Sequence, residues 1–277
     1  MITKMIKSKF KTSSKQVAVG GDSIQSKIII TKLTKTFGKK IILNELDLEV
    51  KKNESLVILG GSGSGKSVLI KAIVGLLQID SGSVKFDGNE ISNLSRSEKS
   101  HLMSRFGFLF QGGALFDSLR VWENVSFSLI HNKSISVAEA KDIALAKLHS
   151  VGMNEDIMYL FPSELSGGMQ KRVALARAIA TNPEVVFFDE PTTGLDPIMA
   201  NVINDLIIGV RNNIGATTVT ITHDINSARR IATRVAMLFQ GKITWIGDVH
   251  DIDKSGNSVF EQFINGKSTG PIKVDVS

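Results

Sequence analysis

The chain contains no cysteine. That absence removes disulfides, thiolate zinc sites, iron–sulfur clusters and thiol nucleophiles together, and it fits a reducing compartment. Long apolar runs are missing as well. No uninterrupted stretch approaches the roughly 18–20 residues that span a bilayer, and the N-terminus has no apolar signal-peptide core. A chain that is itself soluble and cytosolic is therefore expected. Internal repeats and low-complexity tracts are also absent.

What is present has ordinary globular proportions. Hydrophobic residues make up 42% and charged residues 22% of the 277, which excludes a disordered, collagen-like or disulfide-stapled protein. The length suits one large α/β domain with an appendage. The net charge of +6 is unevenly spread: the first 27 residues hold six lysines and a single acid, Asp22. Residues 1–26 read as a basic, solvated leader. The body is close to neutral and offers little charge to a phosphate backbone, so no nucleic-acid partner is expected.

Hydrophobic periodicity outlines the elements. Lys27 to Thr34 is β-branched, and Leu46, Leu48 and Val50 alternate with polar residues, so the chain opens on β structure. Ser55 to Leu59 reads as a buried strand, followed by a glycine-rich loop and a helix over Ser67 to Leu76. Short strands are expected at Val84 to Phe86, ahead of the Asp87-Gly88 turn, and at Phe106 to Phe110, flanking a polar helical stretch. From about Gly112 to Leu165 the pattern is helical, and Ser136 with Glu139 has capping-box spacing. Helix Gly168–Thr181, strand Val185–Phe188, helix Pro197–Ile214, strand Thr217–Thr222 and helix Ile225–Thr233 then alternate. That order implies an α/β fold with a mainly parallel sheet covered on both faces. A terminal hairpin, Val235–Phe239 and Lys242–Ile246, turns at Gln240-Gly241.

The chemistry lies at the ends of these strands. Gly60, Gly61, Ser62, Gly63, Ser64, Gly65, Lys66 and Ser67 match G-x-x-x-x-G-K-[ST] between an apolar strand and a helix. Glycines let successive N–H groups converge on phosphate oxygens, Lys66 can reach the β and γ phosphates, and Ser67 can ligate Mg²⁺. The competing reading is a flexible Ser-Gly linker, which has no need of Lys-Ser at the helix junction. Val185 to Phe188 run into Asp189 and Glu190. Beside a phosphate loop, Asp189 is placed to hold Mg²⁺ and Glu190 to polarise an attacking water; taken alone, the two acids would read as a solvated turn. An N-K-x-D guanine reader is absent, which favours adenine. Phe37 is either a platform for that base or a core residue. Ser166, Gly167 and Gly168 open a helix and form either a second anion cradle or a plain cap. A two-fold dimer, with each second cradle closing over the γ-phosphate of its mate, would use both.

These elements together resemble an ABC-type ATPase domain. The phosphate loop, Gln111 after a strand, Leu165-Ser166-Gly167-Gly168-Met169-Gln170, the Asp189-Glu190 pair, Gly194-Leu195-Asp196-Pro197, and His223 after Ile221-Thr222 occur in that family's order over residues 27 to 250. The resemblance implies a P-loop NTPase fold of ABC type with an N-terminal antiparallel β portion. It implies a helical subdomain at about 112–165, a C-terminal extension over 251–277, and ATP with Mg²⁺ as ligands. It gives Phe37 the role of adenine-stacking aromatic, and Gln111 that of a metal-site residue linked to the helical insertion. Asp196 becomes part of the loop crossing a homodimer interface, and His223 the switch histidine that positions water and Glu190. Val68 joins the nucleotide-binding residues. Gly61, Val68 and Phe37 stand where many such domains have proline, threonine and tyrosine.

A narrower resemblance lies in Phe110-Gln111-Gly112-Gly113-Ala114-Leu115-Phe116, in Pro162 to Met169, and in a tail with Phe263, Gly266, Gly270 and Pro271. These stretches are similar to the ATPase subunit of Mla-type phospholipid transporters. That family pairs its ATPase dimer with an MlaE-like integral-membrane permease and an MCE-type substrate-binding protein. The implied place is the cytoplasmic face of a bacterial inner membrane, with the permease docked near Gln111 to Phe116. The alternatives are an ABC importer for a small solute and a soluble ABC ATPase without a permease.

Overall fold

The computed structural model describes residues 25–133 and 135–273. The basic leader expected over residues 1–26 falls almost wholly outside the described residues.

Strands β1 (Ser26–Phe37) and β2 (Lys40–Lys51) form an antiparallel hairpin whose turn holds Gly38 at φ +59°. β3 (Ser55–Leu59) follows, and then helix α1 (Lys66–Ile73). β4 (Ser81–Phe86) and β5 (Asn89–Glu90) meet at Asp87-Gly88, both with positive φ, as a tight two-residue hairpin turn requires. These strands build a sheet in the order β2-β1-β4-β5.

The chain continues through α2 (Arg96–Met103), β6 (Phe106–Leu109), α3 (Val121–Lys133), α4 (Val137–Ser150), α5 (Gly167–Ala178) and β7 (Val185–Asp189). It ends with α6 (Pro197–Ile214), β8 (Thr217–Thr222), α7 (Ile225–Ile231), β9 (Arg234–Phe239), β10 (Lys242–Asp248) and α8 (Ser258–Ile264). The central sheet has the order β10-β9-β3-β8-β7-β6, with β9 to β6 parallel and β10 antiparallel at the edge. The expected α/β architecture is therefore the one observed. Parallel pairing sends the C-terminal ends of β3, β8, β7 and β6 to one edge, where an open α/β sheet places its ligands.

Both faces of that sheet are buried. In β3, Leu56 and Ile58 pack towards the antiparallel sheet and α1, while Val57 and Leu59 pack into the cluster that holds α3 to α6. In α4, Ala140, Ala144 and Leu148 recur at i, i+4, i+8 and are fully buried, so this helix offers one narrow stripe to α3 and α5.

Two local readings differ from the structure. The helical pattern expected from Gly112 starts only at Val121, because the buried Asn124 side chain holds Gly112–Arg120 as a loop: Oδ1 accepts from Phe116 N at 2.8 Å and Nδ2 donates to Leu119 O at 3.0 Å. At α4, Ser136 Oγ accepts from Glu139 N at 3.2 Å, but the reciprocal capping box belongs to α2, between Ser95 and Glu98.

The C-terminal residues fold onto β10. Phe260 is fully buried and stacks on Trp245 at 4.2 Å, and Gln262 exchanges hydrogen bonds with the backbone of Ile272 at 2.6 and 3.0 Å. At the opposite end of the sheet, buried Lys27 bridges Asp87 and Glu184, and Arg105 binds the same two acids. This knot ties β1 and the β4–β5 turn to the starts of β6 and β7.

Candidate functional site

The loop between β3 and α1 is shaped by its glycines. Gly65 has φ +101°, and a β-carbon there would come within 3.0 Å of Ile42 Cγ2; one on Gly60 would lie 2.7 Å from Leu238 O. At Gly61 and Gly63 the same atom would meet nothing within 4 Å, so the outer face of the loop is open. Gly65 gives α1 no side-chain cap, which leaves first-turn amides pointing outward as an anion cradle. Lys66 Nζ donates to Gly60 O at 2.7 Å and Gly61 O at 3.1 Å, and lies 3.6 Å from Glu190 Oε1. Burial pulls the Lys66 pKa below its ordinary value, and the nearby Glu190 charge opposes that shift.

Two strands away, β7 ends on Asp189, with Glu190 next. Burial raises the Asp189 pKa, the neighbouring Glu190 charge adds to the rise, and a hydrogen bond from Ser67 works against both. Glu190 takes a left-handed φ of +48°, with its N–H donated to Ile221 O at 2.9 Å. A non-glycine residue held in that region is fixed by its surroundings. Its side chain is fixed too: Oε2 accepts from Thr222 Oγ1 at 3.1 Å, Thr193 Oγ1 at 3.2 Å and His223 N at 3.4 Å, and His223 Nδ1 lies 3.0 Å away. Oε1 faces Lys66. A carboxylate anchored by one oxygen, with the other towards a phosphate loop, can take a proton from water bound between them.

A cavity of about 550 Å³ joins these groups; Gly61, Ser62, Gly63, Lys66, Ser67, Gln111, Asp189, Glu190, His223, Ile225 and Phe263 line it. Gly60, Ser64 and Gly65 lie behind the loop surface and shape it. Val68 turns its side chain into the apolar cluster under the antiparallel sheet. Phe37 is 51% exposed at the tip of the first hairpin, with Lys35 Nζ 5.5 Å from its ring centre, so it is not a core residue. Ser166, Gly167, Gly168 and Asp196 lie outside the cavity. Ser166 caps α5 by accepting from Met169 N, and Asp196 caps α6 by accepting from Ile198 N and Met199 N. Met199 touches Gly168, so the two helix starts share one surface, on which Ile198 is 77% exposed.

Thr193 and Ile225 escaped the motif reading, which named Thr222 only as the residue before His223 and Phe263 only as part of the tail, without a place at the site. The two threonines follow an acidic pair and precede a histidine at strand ends, a pattern that could have flagged them as donors to the carboxylate. The donor set also fits its expected ligands. The open amide cradle and Lys66 suit a triphosphate. Ser67 and Asp189 offer adjacent hard oxygens of the kind Mg²⁺ accepts. Among the described residues no cluster of three or more His, Asp or Glu forms a metal site by itself. An ion here would therefore draw further ligands from phosphate and water.

Residues 43–193 match the family model of the ABC transporter. The chain belongs to the ABC transporter family. It is an ATP-binding cassette, and it couples ATP hydrolysis to transport. It is 38% identical over 258 residues to the probable ribonucleotide transport ATP-binding protein mkl of Mycobacterium leprae, covering 92% of this chain and 74% of that one. It is 37% identical over 249 residues to the intermembrane phospholipid transport system ATP-binding protein MlaF of Haemophilus influenzae, covering 90% and 94%. A solved dimeric ATP-binding cassette in a post-hydrolysis state, bound to ADP and Pi, superposes with a TM-score of 0.74 at 32% identity over 80% of this cassette and 98% of its own chain.

Proposed function

We propose that this cassette is the ATP-hydrolysing subunit of a phospholipid transporter, acting as a homodimer on the cytoplasmic face of a bacterial inner membrane. The observation that carries the catalytic reading is the convergence of Lys66, Ser67, Asp189, Glu190 and His223 on one cavity. In this reading the loop amides and Lys66 bind the β and γ phosphates of ATP. Glu190, steadied by Thr193, Thr222 and His223, receives the proton of the attacking water. Ser67 and Asp189, with Gln111, would hold Mg²⁺, which would supply charge neutralisation at the phosphates. Phe37 offers its exposed ring to the adenine. Ser166 to Gly168 and Asp196 face a second copy, which fits the exposure of Ile198 and the dimeric state of the solved cassette.

No helix among the described residues is long and apolar enough to cross a membrane. A separate permease therefore carries the cargo in this reading, and the exposed Phe110 and Phe116 mark the face that meets it. An MlaE-like permease and an MCE-type protein complete the system. Phospholipid as cargo is supported by the name of the Haemophilus relative, 94% of whose length is matched. A second reading, transport of a small solute, draws on the name of the Mycobacterium leprae relative, which is matched over 74%.

The test of the chemistry is Glu190→Gln. ATP binding should persist and a dimer should accumulate with MgATP, while phosphate release falls by about 10²- to 10⁴-fold, the worth of a positioned base. Near-normal hydrolysis would defeat the assignment. For the cargo, gentle detergent extraction should bring down a multi-span permease with bound phospholipid.

A further inference from the structure

The anchored oxygen of Glu190 has a buried chain of hydrogen bonds behind it. Asn204 lies about two turns into α6 and is 2% exposed, and its Nδ2 donates to Ser227 Oγ on α7 at 2.9 Å. Ser227, also buried, donates in turn to Asp224 Oδ2 at 2.6 Å. Thr192 Oγ1 lies 3.3 Å from the same serine and donates to Asp224 Oδ2 at 3.5 Å. The other oxygen of Asp224 accepts from Asn226 N at 2.9 Å and caps α7. A carboxylate gripped at both oxygens fixes the backbone that carries it, and Asp224 N donates to Thr222 Oγ1 at 3.0 Å. The Thr222 hydroxyl then donates to Glu190 Oε2 at 3.1 Å and completes the path.

Hydrogen count sets the direction of this path, because a hydroxyl has a single hydrogen to give. Ser227 accepts from Asn204, so its hydrogen goes to Asp224. Thr222 accepts from the Asp224 amide, so its hydrogen goes to Glu190. Asn204 holds its place at some cost: its Oδ1 is buried and finds no donor among the described residues, a penalty that an apolar side chain of that size would avoid. What this amide contributes is the hydrogen it gives to Ser227.

We propose that Asn204 and Ser227 are positioning residues for ATP hydrolysis, acting through Asp224 and Thr222 to keep the Glu190 carboxylate aimed at the phosphate loop. Neither lines the nucleotide cavity, so both govern turnover and leave affinity alone. The proposal rests on the reading of Glu190 as the base.

A double-mutant cycle reads the connection. Ser227→Ala should lower kcat by about 3- to 10-fold with ATP affinity unchanged, a smaller loss than that of Thr222→Val because it lies further from the carboxylate. In the Thr222→Val background the same substitution should cost less than about twofold, since the path is already cut. Asn204→Leu removes the donor and the unpaired oxygen together. Its urea midpoint should hold or rise while kcat falls by about threefold, a separation that a merely structural residue would not give. An unchanged kcat in either variant, or losses that multiply with that of Thr222→Val, would overturn the proposal, and so would an Asn204→Leu protein whose rate and ATP affinity fall together. If Ser227→Ala does not fold, Asn204→Leu passes through the same cycle and decides by the same criteria. Glu190→Gln is measured separately: near-normal hydrolysis there defeats the base reading, while an inert Ser227→Ala in a chain that Glu190→Gln silences defeats the relay alone.

Discussion

Replacing Thr222 with valine removes one donor from Glu190 while keeping the side-chain shape. The hydroxyl is fully buried; it donates to Glu190 Oε2 at 3.1 Å and accepts from Asp224 N at 3.0 Å. A hydrogen bond to a charged group contributes about 1.5–3 kcal/mol. Thr193 and the two His223 nitrogens remain, so the carboxylate is loosened rather than freed, and the lower half of that range applies. At about 1.4 kcal/mol per decade, kcat should fall roughly 10- to 40-fold. Thr222 does not line the phosphate loop, so ATP affinity should hold. The assay is steady-state phosphate release beside an equilibrium titration with a fluorescent ATP analogue. Thr222→Ser, which restores the hydroxyl, should recover most of the rate. Unchanged kcat in the valine variant, or a parallel loss of rate and affinity, would refute the argument that this hydroxyl orients the base.

Lys66→Ala should weaken ATP binding by about 10- to 100-fold, the scale of a lost charge-assisted contact, and unchanged affinity in the same titration would count against the phosphate cradle. Arg105, then Lys27, hold the Glu184 pKa down at about 2, below the ordinary 4.5. A depressed carboxylate contributes stability that is present above the unfolded value and lost as pH falls through the folded one. Urea midpoints of the wild type should therefore drop from about pH 4.5 towards pH 2, and Glu184→Gln should flatten that drop. Phe260→Ala, by emptying a fully buried site against Trp245, should cost about 3–5 kcal/mol in denaturant unfolding and shift the Trp245 emission; an unchanged midpoint would show that α8 is not part of the folded core.

Much of this was legible in the residues, for reasons that differ by element. Val185 to Phe188 announce a strand buried on both faces because four apolar residues stop at two acids. The glycine loop declares itself because its neighbours leave no room for side chains at Gly60 and Gly65. β1, by contrast, runs on to Phe37 through Lys35 and Thr36, whose polarity hid a strand that Asp80 stabilises by binding the Thr36 amide at 2.6 Å. The loop before α3 looked helical because the apolar spacing of residues 112–120 is set by contacts with α3 and α5, and only Asn124 reveals it as a loop. The readings left open for Phe37 could not be separated by pattern, since an aromatic beside a turn suits either; exposure separates them. Asn204 and Ser227 read as ordinary polar helix residues, and their contact across 23 residues of chain exists only once α6 and α7 pack together.

β7 carries two unrelated tasks at its two ends. Glu184, in the ionic knot, immediately precedes it, and Asp189 closes it. At about 3.3 Å per residue the two acids sit roughly 16 Å apart, well beyond direct contact, and among the described residues they share no hydrogen-bond or ion-pair partner. Changes to Lys27, Asp87, Arg105 and Glu184 should therefore act on stability nearly independently of changes at the catalytic end of the strand. An engineer wanting a hardier motor should start at that end of the strand.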